Sequence, residues 1–113
     1  MNEYFPDQWM LVKISGTDPH YRVFGSWSGG YLDGDSWRLN SGVVRCEEPS
    51  EYPNRYAMIG HSGSMYMCNK ESYGIKSPHN YGVLTNYCER SQGTMEIVKE
   101  MPENLTEMDW IIK

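Results

Sequence analysis

One stretch of the chain, residues 23–46 (VFGSWSGGYLDGDSWRLNSGVVRC), constrains the fold more than any other. It places two Trp and one Tyr among five glycines, so that large rings alternate with backbone positions that can turn sharply. This pattern is typical of hairpins and loops. The chain is therefore expected to be rich in short strands, with some of its rings on bent, glycine-rich segments.

The size and composition indicate one folded domain. A chain of 113 residues buries roughly two-thirds of the surface of its unfolded state, and we assign residues 1–113 to a single domain. Its aromatic residues (4 Trp, 9 Tyr and 2 Phe) argue against disorder. Nine tyrosines exceed what such a core can hold with every hydroxyl hydrogen-bonded, so several are expected at the surface, as in protein-binding sites. The alternative is that these rings simply pack the strands.

The charge and the cysteine content indicate which kinds of partner the chain can bind and in which cellular compartment it is found. The net charge is -5, and residues 94–113 carry five acids against two bases. No run of Lys or Arg forms a basic face for phosphates, so direct nucleic-acid binding is not expected. No apolar run approaches a membrane span, and the first residues lack the basic and apolar regions of a signal peptide. Three cysteines without a CxxC pair then indicate free thiols in a reducing cytoplasm.

Periodicity predicts many short strands and one helix. Strand patterns occur over residues 9–15, 21–24, 43–47, 56–59, 65–68 and 94–100. Glycines within residues 25–30 are expected to interrupt the second strand through a bulge or a close backbone approach. Trp37 and Leu39 share one face if their segment is extended, and residues 60–64 connect a hairpin. Helical spacing predicts a helix at residues 80–92, with Ser77 and Pro78 as an alternative start.

These elements predict an α+β fold. We expect a curved antiparallel β-sheet of about six or seven short strands with one α-helix, at about residues 80–92, packed on one face. A small β-barrel is the alternative. Methionines on the strand faces are interpreted as core residues.

Catalytic and metal-binding patterns are weak. Residues 60–64 (GHSGS) differ by one residue from the G-x-S-x-G nucleophile elbow, but a strand is predicted to follow, which favours a plain hairpin turn. Three histidines and three cysteines could supply zinc ligands, yet no two of them lie within four residues of each other. Asp33 and Asp35 match the start of a calcium loop that then fails at three positions. We predict no catalytic residue, no metal site and no cofactor.

The aromatic residues remain as candidates for function. Rings stacked on a flat base contribute about 1–3 kcal/mol each in nucleic-acid complexes. Trp27 and Tyr31, flanked by Ser and Gly, are expected to be exposed, whereas core packing is favoured for Trp37. Arg38 or Arg45 could assist in holding a phosphate. The predicted binding residues are Trp27, Tyr31, Trp37, Arg38, Tyr66 and Tyr73.

Two sequence blocks carry a resemblance. FGSWSGGYLDGDSWRLNSG and GHSGSMYMCNKESYG, followed by the helix and an acidic segment ending in DWIIK, resemble a group of small proteins encoded by tailed bacteriophages, for which no activity is known. The resemblance covers most of the chain from about Tyr4 onward. It implies a viral origin and a location in the cytoplasm of the host bacterium, and it assigns no site residue.

These observations lead to two functional hypotheses. The first is a non-enzymatic phage accessory protein, monomeric or homo-oligomeric, that binds and inhibits or modulates a host bacterial protein through an aromatic, Gly-rich surface. The target in that case is a defence or transcription factor. The second is an oligomeric protein that binds or sequesters a small nucleotide signal between rings and backbone amides. An enzyme using His61 and Ser62 has the least support.

Overall fold

The computed structural model describes residues 2–30 and 34–111. Its elements are β1 (Glu3–Tyr4), β2 (Gln8–Ile14), β3 (His20–Gly30), β4 (Gly34–Leu39), β5 (Val43–Glu47), β6 (Arg55–Gly60), β7 (Met65–Asn69), α1 (Pro78–Arg90), β8 (Met95–Val98) and a 3₁₀ helix (Leu105–Glu107). The predicted α+β class is confirmed by one α-helix and largely antiparallel strands in this part of the chain. Tyr31 and Asp33 lie outside the described residues.

The strands form two sheets of four, where the sequence predicted one. The first sheet has the order β1-β7-β6-β5 and the second has β4-β3-β2-β8. All named strand pairs are antiparallel except the short parallel pair of β1 with β7. The chain crosses between the sheets after β4, where Asn40 Oδ1 accepts a hydrogen bond from Val23 N (2.7 Å). As far as the chain is described, both sheets have free edges, so neither is a closed barrel.

The main core lies between the two sheets. Its buried members are Trp9, Leu11, Val23, Val43, Cys46, Met58, Tyr66, Cys68, Leu105 and Trp110. Trp9 is fully buried, and its Nε1 donates a hydrogen bond to Asn69 O (2.7 Å), which ties β2 to the end of β7. Trp110 is 4% exposed and packs into this core.

The helix covers the outer face of the second sheet. The buried side chains between them are Met10, Val12, Phe24 and Leu84. Ser77 caps the helix by accepting a hydrogen bond from Asn80 N (3.1 Å), and Pro78 lies in the first turn. The helix therefore begins at the alternative start and ends at Arg90, two residues earlier than predicted. None of the helices in residues 2–30 and 34–111 is long and apolar enough to cross a membrane.

Asn80 attaches α1 to the β3–β4 hairpin. Its side chain is fully buried, and Nδ2 donates hydrogen bonds to Ser26 Oγ and to Ser36 O, both at 2.8 Å. Asn80→Ala leaves these oxygens unpaired, so we expect it to lower the free energy of unfolding by about 2–3 kcal/mol. Asn86→Ala, on the exposed side of the same helix, should change it by less than about 0.5 kcal/mol. Urea unfolding measures both, and equal small effects would contradict this role of Asn80.

The glycines of β3 act differently from the sequence expectation. The strand is not broken at residues 25–30, because it continues to Gly30, but its register against β4 shifts between Trp27 and Gly30, which agrees with the bulge expected there. At Gly25 the close neighbours are side chains. A Cβ there would lie 3.3 Å from Pro6 Cβ and 3.4 Å from the Trp27 ring. Gly25 thus makes room for the indole.

Candidate functional site

Trp27 lies on the side of β3 that faces the first sheet, and its ring packs against the main core. Its Nε1 donates a hydrogen bond to Phe5 O (3.0 Å). The ring meets Tyr4 edge to face, with the centroids 6.5 Å apart. Because one edge is bonded and one face is packed, Trp27 is half-buried. The expectation of a fully outward ring is corrected to a ring that exposes part of its surface.

Arg38 lies on β4, paired across the strands with Gly25. Its guanidinium carbon is 4.5 Å from the centroid of the Tyr4 ring, a cation–π contact that contributes about 0.5–1 kcal/mol at an exposed site. Arg38 forms no ion pair with any of the described residues. Its positive charge is therefore held in place by a ring, and no carboxylate within residues 2–30 and 34–111 forms an ion pair with it.

A second group of rings flanks the same N-terminal segment. Phe5 and Tyr52 are 39% and 40% exposed, and their rings meet edge to face with centroids 5.6 Å apart. The Arg55 guanidinium carbon is 5.3 Å from the Phe5 centroid, and Nη1 donates to Met67 O (2.7 Å). This hydrogen bond orients Arg55. It also satisfies the carbonyl of Met67, which follows the two residues of β7 that pair with β1. An anchored cation thus lies on Phe5, one of two exposed rings that contact each other.

The hydrogen bond from Trp27 Nε1 to Phe5 O joins these two groups, and we call them together the aromatic edge. Its members are Tyr4, Phe5, Trp27, Arg38, Tyr52 and Arg55. It follows β1, an edge strand of the first sheet, and β4, an edge strand of the second. Four of the members were not singled out from the sequence, because the pairing of β1 with β7 joins residues about sixty positions apart and leaves no local pattern. An aromatic pair just before Pro6 and a tyrosine in a proline-rich loop were the available signals.

Trp37 lies on the opposite face of the second sheet. Its ring stacks on Phe24 with centroids 5.5 Å apart and planes 8° apart, and Tyr87 of α1 meets its edge. Trp37 and Leu39 both pack against the cluster under the helix, so the prediction that they share a face is confirmed. Core packing, the favoured interpretation of Trp37, agrees with these contacts. It cannot join Trp27 in one binding surface, because the sheet separates them.

Tyr66 and Tyr73 are structural residues, which corrects their predicted place among the binding residues. Tyr66 is 2% exposed. The half-buried Tyr73 accepts a hydrogen bond from Leu11 N (3.1 Å) at its hydroxyl, which donates to Val98 O. Burial raises the pKa of each phenol from 10.0 to about 12. Both hydroxyls therefore stay neutral at physiological pH, and both side chains are part of the interior of the protein.

The candidate nucleophiles have no activating partners. Ser62 Oγ bonds only to Ser64 Oγ (3.4 Å) among the described residues, and the turn connects β6 to β7, as expected for a plain hairpin. Burial raises the pKa of Cys46 from 9.0 to about 12 and that of Cys68 well above its ordinary value, so neither supplies a reactive thiolate. Across residues 2–30 and 34–111, no three His, Cys, Asp or Glu side chains are grouped to hold a metal ion.

Of the six predicted binding residues, two meet at the aromatic edge. These are Trp27 and Arg38, whereas Trp37 lies under the helix and Tyr66 and Tyr73 lie inside the protein. Tyr31 falls outside the described residues. Comparisons of the chain with protein-family models, with curated proteins and with solved structures find no match.

Proposed function

We propose that this chain is a non-enzymatic binding protein that engages another protein through the aromatic edge. The observation that supports the proposal is the gathering of four rings and two arginines at one edge of the molecule, with both guanidiniums lying on rings. Tyr, Trp, Phe and Arg are the residues enriched in protein interfaces and among the residues that dominate their binding energy. Such a surface fits a protein partner better than a small polar substrate.

The rings of the aromatic edge are held in place before any partner arrives. Trp27 is fixed by its bond to Phe5 O, and Arg55 is fixed by its bond to Met67 O. Side chains that are already ordered lose less conformational freedom on binding, which lowers the entropic cost of association. The half-burial of Trp27 is therefore compatible with binding, since its remaining surface is presented in one orientation.

The resemblance to phage proteins makes a host bacterial protein the proposed partner, in the bacterial cytoplasm. Arg38 calls for a carboxylate on that partner, because its charge has no ion-pair partner in the described part of the chain. A defence or transcription factor with an acidic and apolar surface meets this requirement. The protein would then inhibit or modulate that factor by occupying its surface.

The supporting experiment is capture of a partner with matched variants. Tagged protein should recover one dominant bacterial protein from host lysate. Arg38→Ala and Tyr52→Ala should each weaken that complex by about tenfold or more, as expected for residues that dominate an interface. Arg45→Ala and Tyr81→Ala are the controls. Arg45 lies on the opposite edge strand of the first sheet, and the exposed fraction of Tyr81 (42%) matches that of Tyr52 (40%).

Two results of this experiment would count against the proposal. One is equal recovery of the partner by the edge variants and the controls, which would place the contact elsewhere. The other is failure to recover a dominant partner from several hosts. Thermal unfolding of each variant should stay close to that of the parent protein, since all four side chains are exposed or lie at the surface.

Binding of a nucleotide signal is the second candidate function. An exposed guanidinium lying on the Tyr4 ring, next to an indole, favours it, because rings can stack on a base while Arg38 binds phosphate. Thermal unfolding with a panel of nucleotides distinguishes the two candidates. A ligand at a hundred times its dissociation constant adds about 2.7 kcal/mol of stability. A shift that disappears in Arg38→Ala would favour the nucleotide over a protein partner.

A further inference from the structure

A cavity of about 330 Å³ lies beside the start of β3. The connection from β4 to β5, the β6–β7 turn and the C-terminal segment form its other walls. It is lined by Asp18, His20, Arg22, residues 41–44, His61 and Ile111. None of these residues belongs to the aromatic edge. The volume lies at the lower end of the range of small-molecule sites, about 300–1,000 Å³.

Arg22 is oriented in this cavity by a histidine whose tautomer is fixed by the main chain. His20 Nδ1 lies 2.6 Å from Asp18 O, and because a carbonyl oxygen only accepts, Nδ1 carries the proton. In the neutral ring Nε2 is then an acceptor, and Arg22 Nε donates to it at 3.0 Å. The two terminal guanidinium nitrogens form no hydrogen bond or ion pair within the described residues. A half-buried, oriented arginine without an acidic partner provides a fork for an oxyanion.

Gly42 brings the opposite wall against the histidine. Its φ is +128°, and a Cβ at this position would lie 3.2 Å from His20 Cδ2. Gly42 O also accepts a hydrogen bond from His61 N (2.7 Å), which fixes the β6–β7 turn beside the cavity. Three separate parts of the chain are thus joined by direct contacts around Arg22, so the shape of the cavity does not depend on a single loop.

One wall of the cavity is apolar. Ile111 is 54% exposed, more than any other large hydrophobic residue in the described part of the chain. Its backbone pairs with that of His20, and Val44 lines the same cavity. A ligand with a short apolar body would cover Ile111 and gain burial that an inorganic ion cannot.

We propose that this cavity binds a small organic oxyanion, a carboxylate or a phosphate monoester with a compact apolar body. The terminal nitrogens of Arg22 donate to the oxyanion, and His20 is a positioning residue that orients Arg22. Val44 and Ile111 contact the apolar part. Asp18 is the acidic residue of the cavity, and its negative charge limits the affinity. This site is independent of the aromatic edge and of its proposed partner.

The test is an NMR titration of the whole chain with benzoate, phenyl phosphate, inorganic phosphate and benzamide at low ionic strength. Benzoate, phenyl phosphate or both should shift the amide signals of residues 41–44 and 61 in a saturable way, with a dissociation constant on the order of 1 mM. The preferred head group follows from which of the two binds. Absence of saturable binding of both, or equal binding of benzamide, overturns the proposal. Equal binding of inorganic phosphate overturns the role of the apolar wall.

Variants of the lining residues assign the roles. Arg22→Gln should weaken binding by about tenfold or more, as expected for loss of a charged hydrogen bond. Asp18→Asn keeps the carbonyl that orients His20 and removes the acidic charge, so it should tighten binding about two- to fivefold. His20→Ala should weaken binding and shift the Arg22 Nε–H signal, a readout that a purely structural role would leave unchanged. Arg45→Gln is the control, and equal affinities of Arg22→Gln and this control overturn the assignment.

Discussion

Replacement of Trp9 by alanine is expected to lower the free energy of unfolding by about 4–5 kcal/mol, near the upper end for a buried Trp. Trp9 is fully buried between the sheets, and its ring meets Tyr73 edge to face with centroids 4.7 Å apart. Alanine leaves a cavity and also leaves Asn69 O without the indole donor. Domains of this size are stable by about 5–15 kcal/mol, so this loss removes between about a third and nearly all of the stability.

A second substitution separates volume from hydrogen bonding at this position. Trp9→Phe keeps a ring against Tyr73 but removes the donor to Asn69 O, so we expect a loss of about 2 kcal/mol. Tyr81→Ala, at an exposed helix position, is the control and should change the stability by less than about 1 kcal/mol. Urea unfolding followed by circular dichroism measures all three. A loss for Trp9→Ala no larger than that of the control would contradict a core built between two sheets.

The local elements of the fold are the part that could be predicted from sequence. Ser77 and Pro78 predict a helix start because a cap and a proline satisfy the first turn without distant contacts. The β6–β7 hairpin follows from two short apolar runs around residues 60–64, since a turn and its two strands are neighbours in sequence. These features depend on backbone chemistry within a few residues, and the structure reproduces them.

The division into two sheets could not be predicted, because it depends on which strand faces are buried against each other. Both faces of β7 are apolar: Tyr66 and Cys68 point into the core between the sheets, whereas Met67 packs in a separate cluster with Ala57 and Ile59. Alternation identifies a face only when the other face is polar. The same ambiguity explains why the sequence predicts Tyr66 as a binding residue although it lies in the core.

The candidate site likewise combines residues that the local sequence indicates with residues that only long-range pairing brings together. The sequence indicates Trp27 because glycines and serines surround it, and Arg38 because its guanidinium could assist in holding a phosphate. The rings that complete the aromatic edge reach it through the parallel pairing of β1 and through the loop before β6, both far from residue 27 in sequence. Long-range pairing of this kind brings Arg38 onto the Tyr4 ring, and no local pattern indicates it.

Alkaline pH is expected to unfold this protein through the deprotonation, in the unfolded chain, of thiols and phenols that are buried in the folded protein. Burial raises the pKa of Cys46 from 9.0 to about 12 and that of Cys68 well above its ordinary value, and it raises the pKa of Tyr66 and Tyr73 from 10.0 to about 12. In each case the folded protein keeps a proton that the unfolded chain releases. The resulting stability is complete below the unfolded pKa and is lost as the pH rises toward the folded pKa.

The size of this effect follows from proton linkage. Each such group lowers the stability by about 1.4 kcal/mol per pH unit once its unfolded form has titrated, so the three groups whose pKa rises to about 12 together remove roughly 5 kcal/mol by about pH 11. That amount is comparable with the whole stability of a domain of this size, about 5–15 kcal/mol. Urea unfolding in the presence of a reductant, repeated from neutral pH upward, should show constant stability to about pH 8.5 and a steepening fall above it.

A double variant assigns the first part of the fall to the thiols. Cys46→Ala with Cys68→Ala lowers the stability at every pH through lost packing. It should also remove most of the fall of stability with pH between about pH 9 and 10, because the phenols have barely begun to titrate there in the unfolded chain. Repulsion between surface charges at high pH would give a fall that salt reverses, whereas the burial effect persists at about 1 M salt. Stability that stays constant to about pH 11 would mean that these four side chains are accessible to water in the folded protein.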